Sequence, residues 1–257
     1  MRITVLVENT TKEEKLGAEH GLSLYIETAG KRILFDMGQS TLFEKNAKVL
    51  GIDLSQVDFA VLSHGHYDHG GGLGRFLELN GRAPVYLSEY GFGDHYHGKI
   101  KYIGLDQKLR KEKQIHLIGD KIEITDGIWL YPALNDLQIP ISSGGLMRKN
   151  QDLFLDEDFR HEQYLLIEEK GKKILFSGCS HRGILNIVSQ FHPQILIGGF
   201  HFSKWEPDQG LEEIAGQLAE YATRYYTCHC TGITQYQFMK KRMKNLSYLS
   251  VGDSLEI

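Results

Sequence analysis

Phe59-Ala60-Val61-Leu62-Ser63-His64-Gly65-His66-Tyr67-Asp68-His69-Gly70-Gly71-Gly72 is the stretch on which the reading of this chain turns. Phe59 to Ser63 reads as a buried strand, and it runs straight into a polar loop loosened by glycine. His64, His66, Asp68 and His69 are imidazole and carboxylate donors, suited to Zn, Fe, Mn or Ni. Residues two apart on an extended segment point the same way. His64 and His66 therefore converge on one ion, while Asp68 and His69 are displaced far enough to serve a neighbouring one. Gly65 and Gly70 to Gly72 remove side chains where the backbone must turn sharply beside the ions.

Outward from this loop, the N-terminal side carries short β-branched or aromatic runs at Met1 to Val7, Leu22 to Thr28 and Arg32 to Asp36. Ala29-Gly30-Lys31 between the last two is a hairpin signal. Thr41 and Glu44 have capping-box spacing, and Gly51 sits where a glycine ends a helix. Beyond the loop, short apolar pieces alternate with polar turns from about Pro84 to Pro140. Tyr164 to Glu168 and Lys173 to Phe176 then flank Lys170-Gly171 as a second hairpin. Helical spacing follows at Ile184, Ile187, Val188 and Phe191, and again at Leu211, Ile214, Ala215, Leu218 and Ala222. Strands are expected at Ile195 to Ile197, Arg224 to Thr227 and Tyr248 to Val251, with a helix over about Thr234 to Asn245. Each half thus places a hairpin before helix–strand units. Two mixed sheets face to face, with helices outside, bury every apolar face this pattern creates. The expected class is α+β, one domain over residues 1–257.

Composition narrows the function. With 257 residues, 41% of them hydrophobic, the chain is long enough to build a full core without metal or disulfides. Any metal is therefore expected to be functional. The 29 basic and 33 acidic residues leave a net charge of −4, which argues against nucleic acid or an anionic membrane as partner and for a small-molecule substrate. The first apolar run is broken by Glu8, too early for a signal segment, and no later run has the length to span a bilayer. A cytoplasmic protein is the expectation. Cys179, Cys228 and Cys230 are an odd number and suggest no disulfide framework. Oligomeric state is left open.

Further ligands must come from later in the chain. His181, in Ser177-Gly178-Cys179-Ser180-His181-Arg182-Gly183, lies past a strand and at the mouth of a helix; His229, in Cys228-His229-Cys230-Thr231-Gly232, also ends a strand. His201, after Ile197-Gly198-Gly199-Phe200, is similarly placed and is either a ligand, a substrate contact or a structural residue. Cys228 and Cys230 would face away from His229 on an extended segment and read as packing residues.

The loop His64 to His69 after an apolar strand, with the two-sheet texture of the whole chain, resembles the metallo-β-lactamase superfamily and implies its αββα sandwich. In that resemblance His64, His66 and His181 hold one metal, and Asp68, His69 and His229 hold the other. Asp36-Met37-Gly38 is similar to the family's early Asp, which supports the histidine loop. Val7-Glu8-Asn9-Thr10, Gly178-Cys179-Ser180-His181, Gly198-Gly199-Phe200-His201 and Cys228-His229-Cys230-Thr231-Gly232 resemble one branch in particular, dihydropterin ribofuranosyl-aminobenzene phosphate synthase-like. Where many superfamily hydrolases carry a bridging Asp, this chain has Cys179, either a thiolate ligand or a small buried cysteine.

One or two ions, Zn or alternatively Mn, Fe or Ni, are implied. An ion with an open position brings the pKa of water down from 15.7 to about 7, so hydrolysis is the expected reaction. Asp68 would orient the nucleophile and His201 protonate the leaving group. The alternative is a non-hydrolytic enzyme on the same scaffold, such as a pterin-type transferase or synthase. A di-iron flavoprotein is disfavoured by His66, since that branch carries Glu there. A nuclease is disfavoured by the acidic total, and metal storage would leave no open coordination position. Substrate selection falls to the loops Glu8 to Gly21 and Tyr90 to Gly98. The cations Lys99, Lys101, Lys108, Arg110, Lys111, Lys113 and Arg148 would suit a phosphate.

Overall fold

A computed structural model describes all 257 residues. Two seven-stranded mixed sheets carry the chain, with a small four-stranded sheet beside them. In the first large sheet, Arg2–Val7, Ser23–Thr28 and Lys31–Phe35 are antiparallel, and Phe59–Val61, Val85–Ser88 and Ile115–Ile118 continue parallel from the last of these. In the second, Ile128–Pro132, Gln163–Glu169 and Lys172–Gly178 are antiparallel, and Ile195–Gly198, Arg224–Thr227 and Leu246–Tyr248 continue parallel. Both hairpins close through two-residue turns with positive φ throughout, Ala29-Gly30 and Lys170-Gly171, the geometry that matches strand twist.

Side-chain alternation sorts the strands into layers. Ile3, Val5, Leu24, Ile26, Ile33 and Phe35 face Leu165, Ile167, Ile174, Phe176, Ile195 and Ile197 in one core between the sheets. Leu6, Tyr25 and Leu34, which alternate with them, pack outward under the Leu42–Val49 and Leu73–Leu79 helices. Tyr164, Leu166, Leu175 and Leu196 do the same beneath Ile184–Phe191, Gln209–Glu220 and Ile233–Lys240. The order of layers is helix, sheet, sheet, helix. Strands buried on both faces read as continuous apolar runs, as Ile195–Gly198 does.

Details depart from the sequence expectation. Thr41 makes no side-chain cap; Ser40 Oγ accepts the Leu42 N–H at 3.1 Å instead. The last helix ends at Lys240, the following strand is Leu246–Tyr248, and a further strand, Ser254–Glu256, pairs with Arg2–Val7. The segment Tyr90 to Gly98 contains a strand, Asp94–His97, paired with Leu146–Asn150 in the small sheet.

Candidate metal centre

Asp36, Ser63-His64, Cys179, His201 and His229 all follow the carboxyl ends of strands in the parallel portions of the two sheets, where crevices form in open α/β sheets. Asp36, Ser180, His201 and His229 adopt left-handed φ of 59°, 57°, 58° and 49°. Such conformations cost non-glycine residues about 1–2 kcal/mol each and gather at functional sites. They turn the chain abruptly off each strand and so keep the side chains at the edge of the core.

His64, His66 and His181 form one group. Their ring centroids lie 4.7 Å (His64–His66), 4.7 Å (His64–His181) and 5.0 Å (His66–His181) apart. His64 Nε2 and His66 Nε2 are buried without any hydrogen-bond partner, an arrangement that is costly unless something binds them. Burial, reinforced by the neighbouring imidazoles, holds His64 and His66 well below the usual histidine pKa; burial also lowers His181. All three thus offer neutral lone pairs. His181 stacks face to face on Phe159 at 4.6 Å, and its backbone N–H donates to Glu162 Oε2 at 2.6 Å.

Asp68, His69 and His229 form the second group. His69 Nε2 is 3.2 Å from His229 Nε2, 3.9 Å from Asp68 Oδ2 and 3.1 Å from Cys179 Sγ, and His229 Nε2 is 3.3 Å from Asp68 Oδ2. Donors about 2.0–2.1 Å from a tetrahedral ion stand roughly 3.3 Å from one another, which is the scale of these spacings. The tautomers make the case sharper. His69 Nδ1 donates to Asp36 Oδ2 at 2.7 Å, and His229 Nδ1 donates to Asn9 Oδ1 at 2.8 Å. In the neutral rings both Nε2 lone pairs therefore face each other beside a carboxylate, and a bound cation would relieve that. Without an ion a proton serves: burial would lower His69, but Asp36 and Asp68 outweigh it and raise its pKa to about 9. Burial would raise Asp68, but His69, His20 and His229 hold it well below the usual carboxylate range.

A buried scaffold fixes these rings. Asp36, with no exposed surface, accepts the Ser63 N–H at 2.7 Å and the Ser63 O–H at 2.8 Å as well as His69. Ser63 Oγ in turn sits 2.8 Å from His64 Nδ1. Gly178, at φ +64°, is required here because a Cβ would stand 2.3 Å from Ser63 Oγ. Gly65 is equally constrained, its Cβ position lying 2.1 Å from the Gly91 carbonyl oxygen. Glu8 Oε1 accepts the His229 N–H at 2.7 Å and the Tyr248 O–H at 2.6 Å.

Cys179 Sγ belongs to both groups, within 4.8 Å of the ligand atoms of His64 and His181 and likewise of His69 and His229. Burial pushes its thiol pKa well up, so a thiolate there needs a nearby cation. Cys228 lies in the inter-sheet core, as its packing reading has it. Cys230 is buried too, but it does not face away from the centre: its ligand atom is within 4.8 Å of those of Cys179 and His201. The reason is local, because His229–Thr231 is a 3₁₀ turn and the alternation of an extended segment does not apply. His201 stands beside His181, ring centroids 4.5 Å apart, with Nδ1 buried and unpartnered.

Four further residues border the centre without a role assigned to them from sequence. His20 Nε2 reaches Asp68 Oδ2 at 3.2 Å. Asn9 orients His229 as described. His161 and His95, both buried, border His66; Gly65 N–H donates to His161 Nδ1 at 2.9 Å, and His95 Nδ1 is 2.7 Å from Glu157 Oε2. Arg148, in contrast, is engaged by Asp158 at 3.2 Å rather than free for a phosphate.

Comparison with known proteins bears on the family and the fold. A family model described as Metallo-beta-lactamase superfamily matches residues 16–221. The crystal structure of Tm1679, a metal-dependent hydrolase of the beta-lactamase superfamily, superposes with a TM-score of 0.87 at 30% identity, covering 100% of this chain and 99% of that one. An uncharacterized protein of Methanocaldococcus jannaschii is 29% identical over 99% of this chain and all of its own. The 7,8-dihydropterin-6-methyl-4-(beta-D-ribofuranosyl)-aminobenzene-5'-phosphate synthase of the same organism is 28% identical, covering 91% of this chain and 89% of its own.

Proposed function

This chain belongs to the metallo-beta-lactamase superfamily, a fold that typically binds divalent metal ions, and on that footing we propose that it is a metal-dependent hydrolase of a small molecule. His64, His66 and His181 hold one ion, Asp68, His69 and His229 a second, and Cys179 lies between them; zinc suits this mixture of imidazole, carboxylate and thiol donors. The observation that carries the reading is the pair of Nε2 lone pairs on His69 and His229, 3.2 Å apart and each fixed by a hydrogen bond on the far side of its ring. When bound, such ions acidify water and polarise the group under attack.

The protein's own part is positioning. Asp36 and Asn9 hold His69 and His229 in the tautomers that ligate. Asp68 takes a hydrogen bond from His20 and directs its carboxylate into the site. His201, beside His181 and lacking a partner at Nδ1, is placed to hand a proton to a leaving group. A net charge of −4 supports a small-molecule substrate over nucleic acid.

The relationship to the dihydropterin ribofuranosyl-aminobenzene phosphate synthase favours a second reading, a non-hydrolytic synthase on the same centre. One experiment separates the two: assay the zinc- and manganese-loaded protein on ester, lactone and phosphodiester panels in ¹⁸O-labelled water. The hydrolase reading expects label in the product and loss of turnover on chelation. Metal-dependent turnover without label would replace it with the synthase reading.

A further inference from the structure

One cavity adjoins the centre without belonging to it. It measures about 380 Å³ and meets the centre at His181 and His201. Its walls are Ile139, Ile141, Ile184, Phe202, Trp205 and Ile214, and none of its lining residues is acidic. That volume lies in the range of small-molecule pockets. Trp205 and Ile139 are 45% and 41% exposed, large apolar groups left at the surface. Asn186 secures the wall, its Oδ1 accepting the Ile139 N–H and its Nδ2 donating to the Ile139 carbonyl, both at 2.9 Å.

Two independent features bring positive charge to this apolar space. Lys204, the only lysine or arginine in the lining, is held with Nζ 3.3 Å from His97 Nε2. Gly183, Ile184 and Leu185 bring the N-terminus of the Ile184–Phe191 helix to the same cavity, and no side chain caps it. First-turn N–H groups lack intrahelical partners and carry roughly half a positive charge between them, a ready acceptor of anions. A nucleic-acid strand needs a row of cations; this cavity has one.

We propose that the cavity binds the non-reacting part of the substrate, an apolar ring or short acyl chain bearing a single anionic group that meets Lys204 and the helix N-terminus. The inference rests on the hydrolase reading for the word substrate, and on the cavity alone for the chemistry. The substrate class is then an anionic aryl or acyl compound, phosphorylated or carboxylated, whose cleavable bond extends past His201 toward the metal centre.

The test is calorimetric titration of the metal-loaded, full-length protein with four non-hydrolysable probes: benzylphosphonate, phenylacetate, benzyl alcohol and methylphosphonate. An aromatic anion should bind more tightly than benzyl alcohol, which lacks the charge, and than methylphosphonate, which lacks the ring. The ratio of benzylphosphonate to phenylacetate identifies the preferred anion. Lys204→Met should weaken the preferred aromatic anion about tenfold, one charge-assisted hydrogen bond, and leave benzyl alcohol unchanged. Trp205→Ala should weaken the three aromatic probes and leave methylphosphonate unchanged. Both residues are exposed, so folding is not at stake. Equal affinity for benzyl alcohol and both aromatic anions, or wild-type affinities in both variants, overturns the proposal. The binding pattern with no turnover on any panel would instead sink the hydrolase reading and leave the pocket standing.

Discussion

Replacing Asp36 by Asn tests how far the metal centre depends on a residue that does not itself ligate. The substitution is nearly isosteric, and asparagine tolerates the left-handed φ of 59°, so the backbone should stay. The Asp36 carboxylate accepts three hydrogen bonds, from Ser63 N–H, Ser63 O–H and His69 Nδ1–H, at 2.7, 2.8 and 2.7 Å. An amide oxygen can keep the Ser63 N–H, but its NH₂ then faces Ser63 Oγ and His69 Nδ1. The hydroxyl can reverse; the imidazole must move its proton to Nε2, the atom 3.2 Å from His229 Nε2. A ligand lone pair is thereby lost. One charge-assisted hydrogen bond is worth about 1.5–3 kcal/mol, and loss of such an outer partner typically lowers metal affinity 10–100-fold. Competition against a chromophoric zinc chelator measures this directly. Asp36→Asn should lose about 10–100-fold in affinity at one of the two ion positions. Asp58→Asn, which removes an exposed carboxylate bonded to the Arg32 N–H, should match wild type. If Asp36→Asn binds both ions as wild type does, the argument from fixed tautomers is wrong.

Other outcomes follow from the same geometry. Gly65→Ala places a Cβ 2.1 Å from the Gly91 carbonyl oxygen; displacing the loop should cost about 1–3 kcal/mol and deplete bound metal, read by thermal melts and metal analysis, and a variant with wild-type values would contradict the close approach. Cys179→Ser should lower the affinity for one ion, and Cys179→Asp should recover part of it; unchanged zinc titrations for the serine variant would assign Cys179 to packing. In the metal-free protein, the raised His69 pKa of about 9 contributes stability that is fully present below about pH 6.5 and lost as pH rises through 9, of order 3 kcal/mol. The lowered pKa values of His64, His66 and His181 act in the other direction: the unfolded chain takes up protons that the folded one refuses, so stability falls below about pH 6.5. Urea melts of chelated protein should therefore peak near that pH, and stability that climbs from there toward pH 9 would refute the assignment.

How much of this was legible in sequence follows from how local each signal is. His64 to His69 mark a candidate metal site in sequence because one strand end delivers four donors in a single loop. The two-sheet architecture was readable for a similar reason, since hairpin turns such as Lys170-Gly171 and apolar strands such as Ile195–Gly198 are short-range patterns. Asp36, His181 and His229 were approachable only as residues just past strands. For Cys230 the premise of an extended register does not carry through the 3₁₀ turn at His229–Thr231. His20, His95, His161 and Glu157 come from loops and from the small sheet, whose pairing of Asp94–His97 with Leu146–Asn150 spans about fifty residues. No periodicity announces a contact of that kind.

Anomalous diffraction from crystals of the zinc-saturated protein tests the central claim most directly. Scattering peaks should lie within ligand distance of His64, His66 and His181 and of Asp68, His69 and His229, with Cys179 Sγ between them. Zinc bound elsewhere on the molecule, with the imidazoles of His69 and His229 still facing each other across an empty gap, would contradict it.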